Sequence, residues 1–524
     1  MIKSPRGTRD LLPPDTALWN FVEAAVRDVF RAYNFHEIRT PIFESTELFA
    51  RGVGEETDIV GKEMYTWYDP APEFVLRRAW TDQYRTKYTR IEQEVRLRDG
   101  TTADCVGYQD NHPTIVELKY QPNARDLIQL ELMQRAWPEE NVKPRLALAV
   151  PDSEVDFARK LTPDIEIQPV RMSSALTLRP ENTAGVVRAY IEHKLWSRGL
   201  NKLFYIGPQF RRERPQKGRY RQFYQIGAEA IGPAASGSES PARDAEILEL
   251  LATLLDRVGI TNWTLELNSV GCPNDRAKFN EALRKALEPV VDKMCADCQR
   301  RAVTNPLRVF DCKVPEDQPI IETLPRISQF LDEPCRTHFE QVKEILKTVG
   351  VPYTINDRLV RGLDYYTRTA FEFTHGALGA QNAILGGGRY DGLSEALGGP
   401  AAPGIGFAIG EDRLVLSLSE SAESVVRKPD VYIAPLGAGM NREAARLARE
   451  LRRHDLVVDL GDESFRLKKS FEAADKMGAR YILIVGENEV KADAFALKHL
   501  ASGEQVTVPR GDLPGRIGKS GSGL

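Results

Sequence analysis

A chain of 524 residues, 42% hydrophobic and 28% charged, is too long for one hydrophobic core, so about three or four domains of roughly 100–200 residues are expected. Its formal net charge of −4 excludes a general nucleic-acid coat protein, although screening over about 10 Å leaves room for a local basic groove. No apolar run reaches the roughly 18 residues of a membrane span, the N-terminus lacks the apolar stretch of a signal peptide, and six cysteines do not suggest a disulfide framework, so the expected compartment is the cytoplasm.

Residues 15–35 place Leu18, Phe21, Val22, Ala25 and Val29 on one face at helical spacing and predict a core-facing helix, with Asp15 suited to its N-cap. HEIRTPIFE and EMYTWY read as short strands. From residue 76 the order is a helix over LRRAWTDQYRTKYTRIEQE, strands VRLRDG, TADCVGY and TIVELKY, a helix ARDLIQLELMQRAW and a strand RLALAV. SSALTLRPENTAGVVRAYIEHKL reads as a strand running into a helix. NKLFYIGPQFRRE and YRQFYQIGAEAIG read as an antiparallel pair joined by the glycine-containing loop RPQKGR. Helices around the strand WTLELNSVG fill about 233–355, which reads as a helical insertion. Strands return in RLVRGLDYYTRTAFEFTH and NAILGGGRYDGL, GIGFAIGEDRLVLSLSE enters a helix, and the whole predicts an α+β domain. Compact strands alternating with helices predict a separate α/β domain at 428–512, followed by a flexible tail at 513–524.

The segment RRERPQKGRYRQFYQ carries six positive charges and one negative in this slightly acidic chain. Charge runs are usually solvated faces. Here, however, Arg211, Arg212, Arg214, Lys217, Arg219 and Arg221 accompany apolar strands, and guanidinium groups on a sheet face need anionic partners, so a phosphate-rich ligand fits. Glu181 and Glu229 sit in apolar surroundings, a cost that a cationic ligand group or an arginine relieves; taken singly, such residues are more often members of structural ion pairs. GGGRYDGL lacks the ending of a phosphate loop, so its glycines are assigned to close approach of a ligand or of strands. PLGAGMNRE is a partial dinucleotide fingerprint and is discounted. Cys295, Cys298 and Cys312, with Cys335 as a further candidate, contain one CxxC and otherwise irregular spacings, so ordinary thiols are expected rather than structural zinc.

RGTRDLLP, LTLRPENTAGVVRAYIEH, FYIGPQFRRERPQKGRYRQFYQIGAE, RLVRGLDYYTRTAFEF, GGGRYDGL and GIGFAIGEDRL, in that order, closely resemble the signatures of histidyl-tRNA synthetases, a class II aminoacyl-tRNA synthetase family. The resemblance spans nearly the whole chain except about 73–171. It implies a class II antiparallel-sheet catalytic domain over 1–72 and 172–425, an anticodon-binding domain at 428–512, and a cytoplasmic homodimer. It further implies histidine–tRNA ligation: the L-histidine carboxylate attacks the α-phosphate of ATP, which Mg2+ accompanies, and a ribose hydroxyl at the 3′ end of tRNA(His) takes the activated histidine. Both steps need positioned charge. By the same resemblance Arg211 holds the α-phosphate and the substrate carboxylate, Arg413 clamps the nucleotide and Arg361 approaches the α-phosphate from the opposite side. Glu181, Thr183 and Gln225 receive the histidine ammonium, Glu229 and Tyr366 hydrogen-bond the imidazole, and Tyr365 lines the pocket. Gln216, Lys217 and Arg219 meet the tRNA acceptor end. The rivals are a regulatory paralogue of histidine biosynthesis that binds a phosphoribosyltransferase, and a tRNA-binding module without catalysis; the kept RGLDYYTRT motif, anticodon domain and ATP-contact residues speak against them.

The segment 73–171 stands where this family has a short hairpin turn. Its order of elements resembles the PD-(D/E)XK nuclease core, with Asp104, Glu117 and Lys119 as the signature, Glu94 on or near the first helix and Gln129 on the second. Such nucleases hold Mg2+ between carboxylates on adjacent strands, with a lysine beside the nucleophilic water. Ala103 replaces the motif's proline and VELK is a common strand sequence. A nuclease-like fold is therefore expected and nuclease activity is not, a spacer or tRNA-gripping appendage being the alternative.

Overall fold

The computed structural model describes residues 2–518 except 55–56, 58, 69–72, 121, 140–141, 163, 171–174, 217, 364, 377–381 and 419–427. Its first helix, α1 (Asp15–Ala32), buries Val22, Val26, Val29 and Phe30. Phe21, expected on the core face, is instead 37% exposed, because the buried stripe advances by three and four from Val22 and leaves Phe21 at its edge. The short strands β1 (His36–Glu37) and β2 (Phe43–Ser45), the helix α2 (Thr46–Val53) and β3 (Tyr65–Tyr68) follow.

Residues 73–170 form α3 (Glu73–Tyr84), β4 (Arg90–Arg96), β5 (Thr102–Gln109), β6 (His112–Leu118), α4 (Ala124–Arg135), β7 (Arg145–Pro151), α5 (Val155–Leu161) and β8 (Glu166–Val170). The strands make one sheet in the order β4-β5-β6-β7-β8, antiparallel through β6 and parallel beyond it. Alternation along β5 to β7 sends Cys105, Val116, Ala147 and Ala149 to Leu76 and Trp80 of α3. The opposite face sends Val106, Ile115 and Leu148 to Leu130 and Met133 of α4. Two corrections arise here. The helix expected over 76–94 stops at Tyr84, and the strand expected at 95–100 begins at Arg90, because pairing with β5 outweighs the local helical preference of a charged stretch. α5 and β8 are elements beyond those expected from the sequence.

Next come β9 (Ala175–Leu178), which pairs with both β2 and β3, then α6 (Thr183–Glu192), β10 (Lys202–Phe210), β11 (Gln222–Ile231), α7 (Pro241–Arg257) and β12 (Trp263–Ser269). The helices α8 (Pro273–Leu287), α9 (Ala296–Thr304), α10 (Gln318–Thr323) and α11 (Glu333–Val349) lead to β13 (Thr354–Ile355), β14 (Thr367–His375), β15 (Ala383–Arg389), α12 (Leu393–Ala396), β16 (Gly404–Gly410) and α13 (Glu411–Ser417). Eight strands form one sheet, β1-β10-β11-β16-β15-β14-β12-β13, antiparallel except at its two edge pairs. The β10–β11 pairing runs from Lys202↔Ala230 to Phe210↔Gln222, so the charged segment is the tip and flanks of a hairpin. Within 233–355 the strand expected at WTLELNSVG is β12, β13 is added to the sheet at the far end, and α7 and then α8 to α11 supply the helices expected around it.

The last portion holds β17 (Val431–Leu436), α14 (Met440–Arg452), β18 (Val458–Leu460), α15 (Leu467–Lys476), β19 (Tyr481–Gly486), α16 (Glu487–Ala492), β20 (Ala494–His499), β21 (Gln505–Pro509) and α17 (Leu513–Gly518). Its sheet runs β18-β17-β19-β20-β21, parallel around β17 and antiparallel from β19 onward. The tail expected from 513 is helical to Gly518, since Leu513 and Ile517 join the core of this sheet; 519–524 lie outside the described residues. Among the described residues no helix is long and apolar enough to cross a membrane.

The glycines of β15 pack strand against strand. A Cβ on Gly387 would fall 2.1 Å from the Gly406 carbonyl oxygen, whereas one on Gly376 meets nothing within 4 Å. We expect Gly387→Ala to cost about 1–3 kcal/mol or more, as overpacking of a core does, and Gly376→Ala to stay within about 0.5 kcal/mol; urea titrations of the two variants check this.

Candidate active site

The site is built around the start of α6. Glu181, 4% exposed, accepts the backbone N–H groups of Thr183 (2.8 Å) and Ala184 (3.0 Å), so the first turn of the helix meets a carboxylate. Burial pushes this carboxyl up, and the N–H bonds and Arg211 pull against it. Thr183 Oγ1 donates to Glu229 Oε1 (2.8 Å) and Tyr390 donates its hydroxyl to Glu229 Oε2 (2.6 Å). Glu229, fully buried on β11, is pushed up to about 8 by burial despite these two bonds.

Three arginines face this corner. Arg211, just past β10, donates from Nε to the Pro180 carbonyl (2.8 Å), and its guanidinium lies 5.2 Å from the Phe223 ring centre. Arg361 pairs with Glu372 of β14 (2.7 Å) and lies flat against Gly386, where a Cβ would come 2.6 Å from its Nη1. Arg413 of α13 donates to the Ala383 carbonyl (2.7 Å) at the head of β15. Together with Glu181, Thr183 and Gln225 they line one cavity of about 370 Å³. Tyr365 and Tyr366, ring centres 4.7 Å apart, and Arg219 complete its wall. Glu229 does not reach the cavity; it stands behind Thr183 with both oxygens engaged. Gln216 also lies off the cavity, paired with Arg219 through backbone bonds, and Lys217 falls outside the described residues.

Other groups of the site lie within the signature stretches, but their pairings are set only by the fold. Arg9 bonds Asp412 (2.7 Å) and stacks 4.6 Å over the Tyr220 ring, while Asp412 accepts the Tyr224 N–H (3.1 Å), so the N-terminal RGTRD braces the hairpin. Arg389, from the GGGRYDGL stretch, is wholly buried. It pairs with Asp244 of α7, with Asp391 (2.8 Å) and with the Ser238 carbonyl (2.8 Å). Asp244 further receives Thr369 Oγ1 (2.6 Å) and His338 Nε2 (2.8 Å). A lone acidic residue in an amphipathic helix gives no hint of a partner 145 residues away.

In the 73–171 segment Asp104 and Glu117 are cross-strand neighbours, one step beyond the Cys105↔Val116 pair. Each is already matched by a cation: Lys119 Nζ lies 3.0 Å from Glu117 Oε1, and Arg77 Nη2 lies 3.5 Å from Asp104 Oδ1. Burial, with Asp104 beside it, raises the Glu117 carboxyl to about 7. Glu94 lies on β4 rather than a helix and pairs with Arg77 (2.5 Å), and Gln129 is on the exposed side of α4. Cys295, Cys298 and Cys312 converge, joined by Asp317, while Cys335 sits apart with Cys272, Asp275 and Asp332.

A largely antiparallel sheet whose hairpin, glycine-rich strand and following helix frame a basic, carboxylate-floored cavity has the catalytic-domain architecture of class II aminoacyl-tRNA synthetases. Comparison with known proteins narrows the class. The family profile "Histidyl-tRNA synthetase" matches residues 165–414, and "Anticodon binding domain" matches 430–520. The histidine–tRNA ligase of Koribacter versatilis is 58% identical over 98% of this chain and 95% of its own length, and that of Solibacter usitatus is 48% identical over 99% of both. The apo histidyl-tRNA synthetase of S. aureus superposes with a TM-score of 0.65 at 32% identity, covering 99% of this chain and 100% of its own. The chain belongs to the histidyl-tRNA synthetase family of ligases. The ATP phosphoribosyltransferase regulatory subunit/histidyl-tRNA synthetase from Bacillus halodurans shares 16% identity and the fold alone. The histidine–tRNA ligase relatives, 58% and 48% identical over nearly the whole chain, do not favour the regulatory alternative. The alignment with the Koribacter relative, over 514 residues, leaves no room to skip 73–171, so that relative carries the segment too.

Burial alone would raise the Asp244 carboxyl, but Arg389 and His338 hold it below the usual carboxylate range. A depressed folded value stabilises above the unfolded value of about 4 and is lost as pH falls through the folded one. We expect Asp244→Asn to lower stability by about 3–5 kcal/mol near neutral pH, because it strands a buried guanidinium. The variant should also show a flatter loss of stability on acidification than the parent; urea midpoints across the acid range measure both.

Proposed function

We infer that the protein activates histidine with ATP and transfers it to tRNA(His) through this one cavity. The observation that supports the reading is the convergence of Arg211, Arg361 and Arg413 on a pocket that also contains a buried, helix-capping Glu181. The carboxylate oxygen of histidine attacks the α-phosphorus and pyrophosphate leaves. Charge grows on the α-phosphate oxygens, and Arg211 and Arg361 approach them from opposite sides, in place before the reaction begins. Arg413 holds the nucleotide with a planar fork suited to phosphate and to stacking on a base.

Glu181, Thr183 and Gln225 receive the substrate ammonium. An arriving cation favours the charged form of Glu181, which burial otherwise disfavours. The imidazole lies against Tyr365 and Tyr366, and Glu229 acts from behind by fixing the Thr183 hydroxyl. Mg2+ enters with ATP; Glu213 and Glu372 offer hard oxygen donors on the cavity wall, and the ion neutralises phosphate charge when bound. Gln216, Lys217 and Arg219 at the hairpin tip are assigned to the tRNA acceptor end, and the 428–512 domain to splayed anticodon bases. A catalytic domain over 1–72 and 172–425, assembly as a homodimer and a cytoplasmic location belong to the same proposal. The 73–171 segment is read as a nuclease-like domain without nuclease activity, a reading supported by the cations already paired with Asp104 and Glu117.

Arg361→Ala is expected to lower histidine-dependent ATP–pyrophosphate exchange by about 100- to 1000-fold at saturating substrates, as loss of a transition-state donor does; an unchanged rate with an intact fold overturns the assignment. Glu181→Gln is expected to raise KM for histidine about tenfold or more with a smaller change in kcat. In the parent enzyme that KM should rise as pH falls through the raised Glu181 value, because only the charged carboxylate pairs with the ammonium. Steady-state exchange kinetics across pH check both.

A further inference from the structure

Three sulfur atoms and a carboxylate meet between α9 and the segment leading to α10. Cys295 precedes α9, Cys298 lies in its first turn, and Cys312 and Asp317 follow in a Cys-x2-Cys-x13-Cys-x4-Asp arrangement. One ligating atom from each lies within 4.8 Å of all the others. Cys295 Sγ is 3.9 Å from Cys312 Sγ, and Cys312 Sγ is 3.1 Å from Asp317 Oδ2. Zn–S bonds of about 2.3 Å in a tetrahedron put ligand sulfurs about 3.8 Å apart, so these side chains already stand at metal-binding separation.

We propose that Cys295, Cys298, Cys312 and Asp317 hold a structural Zn2+ ion. Three thiolates and one carboxylate suit a borderline-soft cation and leave the closed, four-ligand sphere of a structural site. Supporting bonds orient the ligands: both Asp317 oxygens accept the Cys295 N–H (3.1 and 3.2 Å), and the Val314 N–H points at Cys312 Sγ (3.4 Å). Binding displaces the thiol protons and gives a site of net charge −2, at the N-terminus of α9 where backbone N–H groups favour negative charge. The neighbouring group of Cys272, Asp275, Asp332 and Cys335 differs. Its carboxylates cap helices, Asp332 accepting the Cys335 N–H (2.8 Å) and Asp275 the Cys272 (3.1 Å) and Asp332 (3.0 Å) N–H groups, and it offers only two sulfurs. The metal has a reason to matter to catalysis. Cys298 and Cys312 share a core with Tyr366, against which Leu363 and Tyr365 of the histidine-side wall pack.

Full-length protein, purified anaerobically and equilibrated with Zn2+, is expected to retain about one zinc per chain by elemental mass spectrometry. With Co2+ in its place it should give the intense near-ultraviolet thiolate band and red d–d bands of a tetrahedral site. Cys298→Ser and Asp317→Asn should weaken metal retention by about 10- to 100-fold or more, while Cys335→Ser keeps it. Parent protein that retains less than about one tenth of a zinc per chain, or whose mass map shows a Cys295–Cys312 disulfide under anaerobic handling, overturns the proposal. So does zinc that follows Cys335. If the ligand variants do not fold, the stoichiometry and cobalt spectrum of the parent decide alone.

Discussion

A carboxylate stripped of water has to be met by donors or it takes up a proton, and the catalytic half of this chain is arranged around that requirement. Glu181 is answered by the first N–H groups of a helix, Glu229 by two hydroxyls, and Asp244 by an arginine, a histidine and a threonine. These answers differ in kind. Asp244 is matched by full positive charge and is held ionised. Glu229 receives only hydroxyl dipoles and Glu181 backbone dipoles with the Arg211 charge farther off, and burial pushes both toward the neutral acid.

The arginines obey the converse rule. Arg389 is buried and fully engaged inside the protein, so it holds the sheet to α7. Arg211 and Arg413 are each anchored to a carbonyl and Arg361 to Glu372, and all three line the cavity. A guanidinium held at one edge has its plane fixed before any ligand arrives. The glycines of β15 make that placement feasible, because Arg361 occupies the volume a side chain on Gly386 would need.

Much of this was legible from residues alone. The hairpin of β10 and β11 follows from alternation broken by a glycine loop, and the signature stretches point to the family by themselves. What escaped were relationships that no local pattern encodes. The Arg9–Asp412 and Asp244–Arg389 pairs join residues 403 and 145 positions apart. The edge strand β4 looked helical because its charges tolerate either state, and only its neighbour β5 decides the matter. The irregular spacing of Cys295, Cys298 and Cys312 gave no hint that a turn of helix and a short loop bring them together with Asp317 in space. The short end helix α17 was hidden by a glycine-rich composition that reads as tail, although Leu513 and Ile517 supply the two apolar anchors it needs.

The brace between Arg9 and Asp412 also bears on how the molecule comes into being. Synthesis proceeds from the N-terminus, so Arg9 leaves the ribosome 403 residues ahead of the aspartate that receives it. Until then the loop carrying Tyr220 lacks this contact, so the brace cannot close before Asp412 has been made.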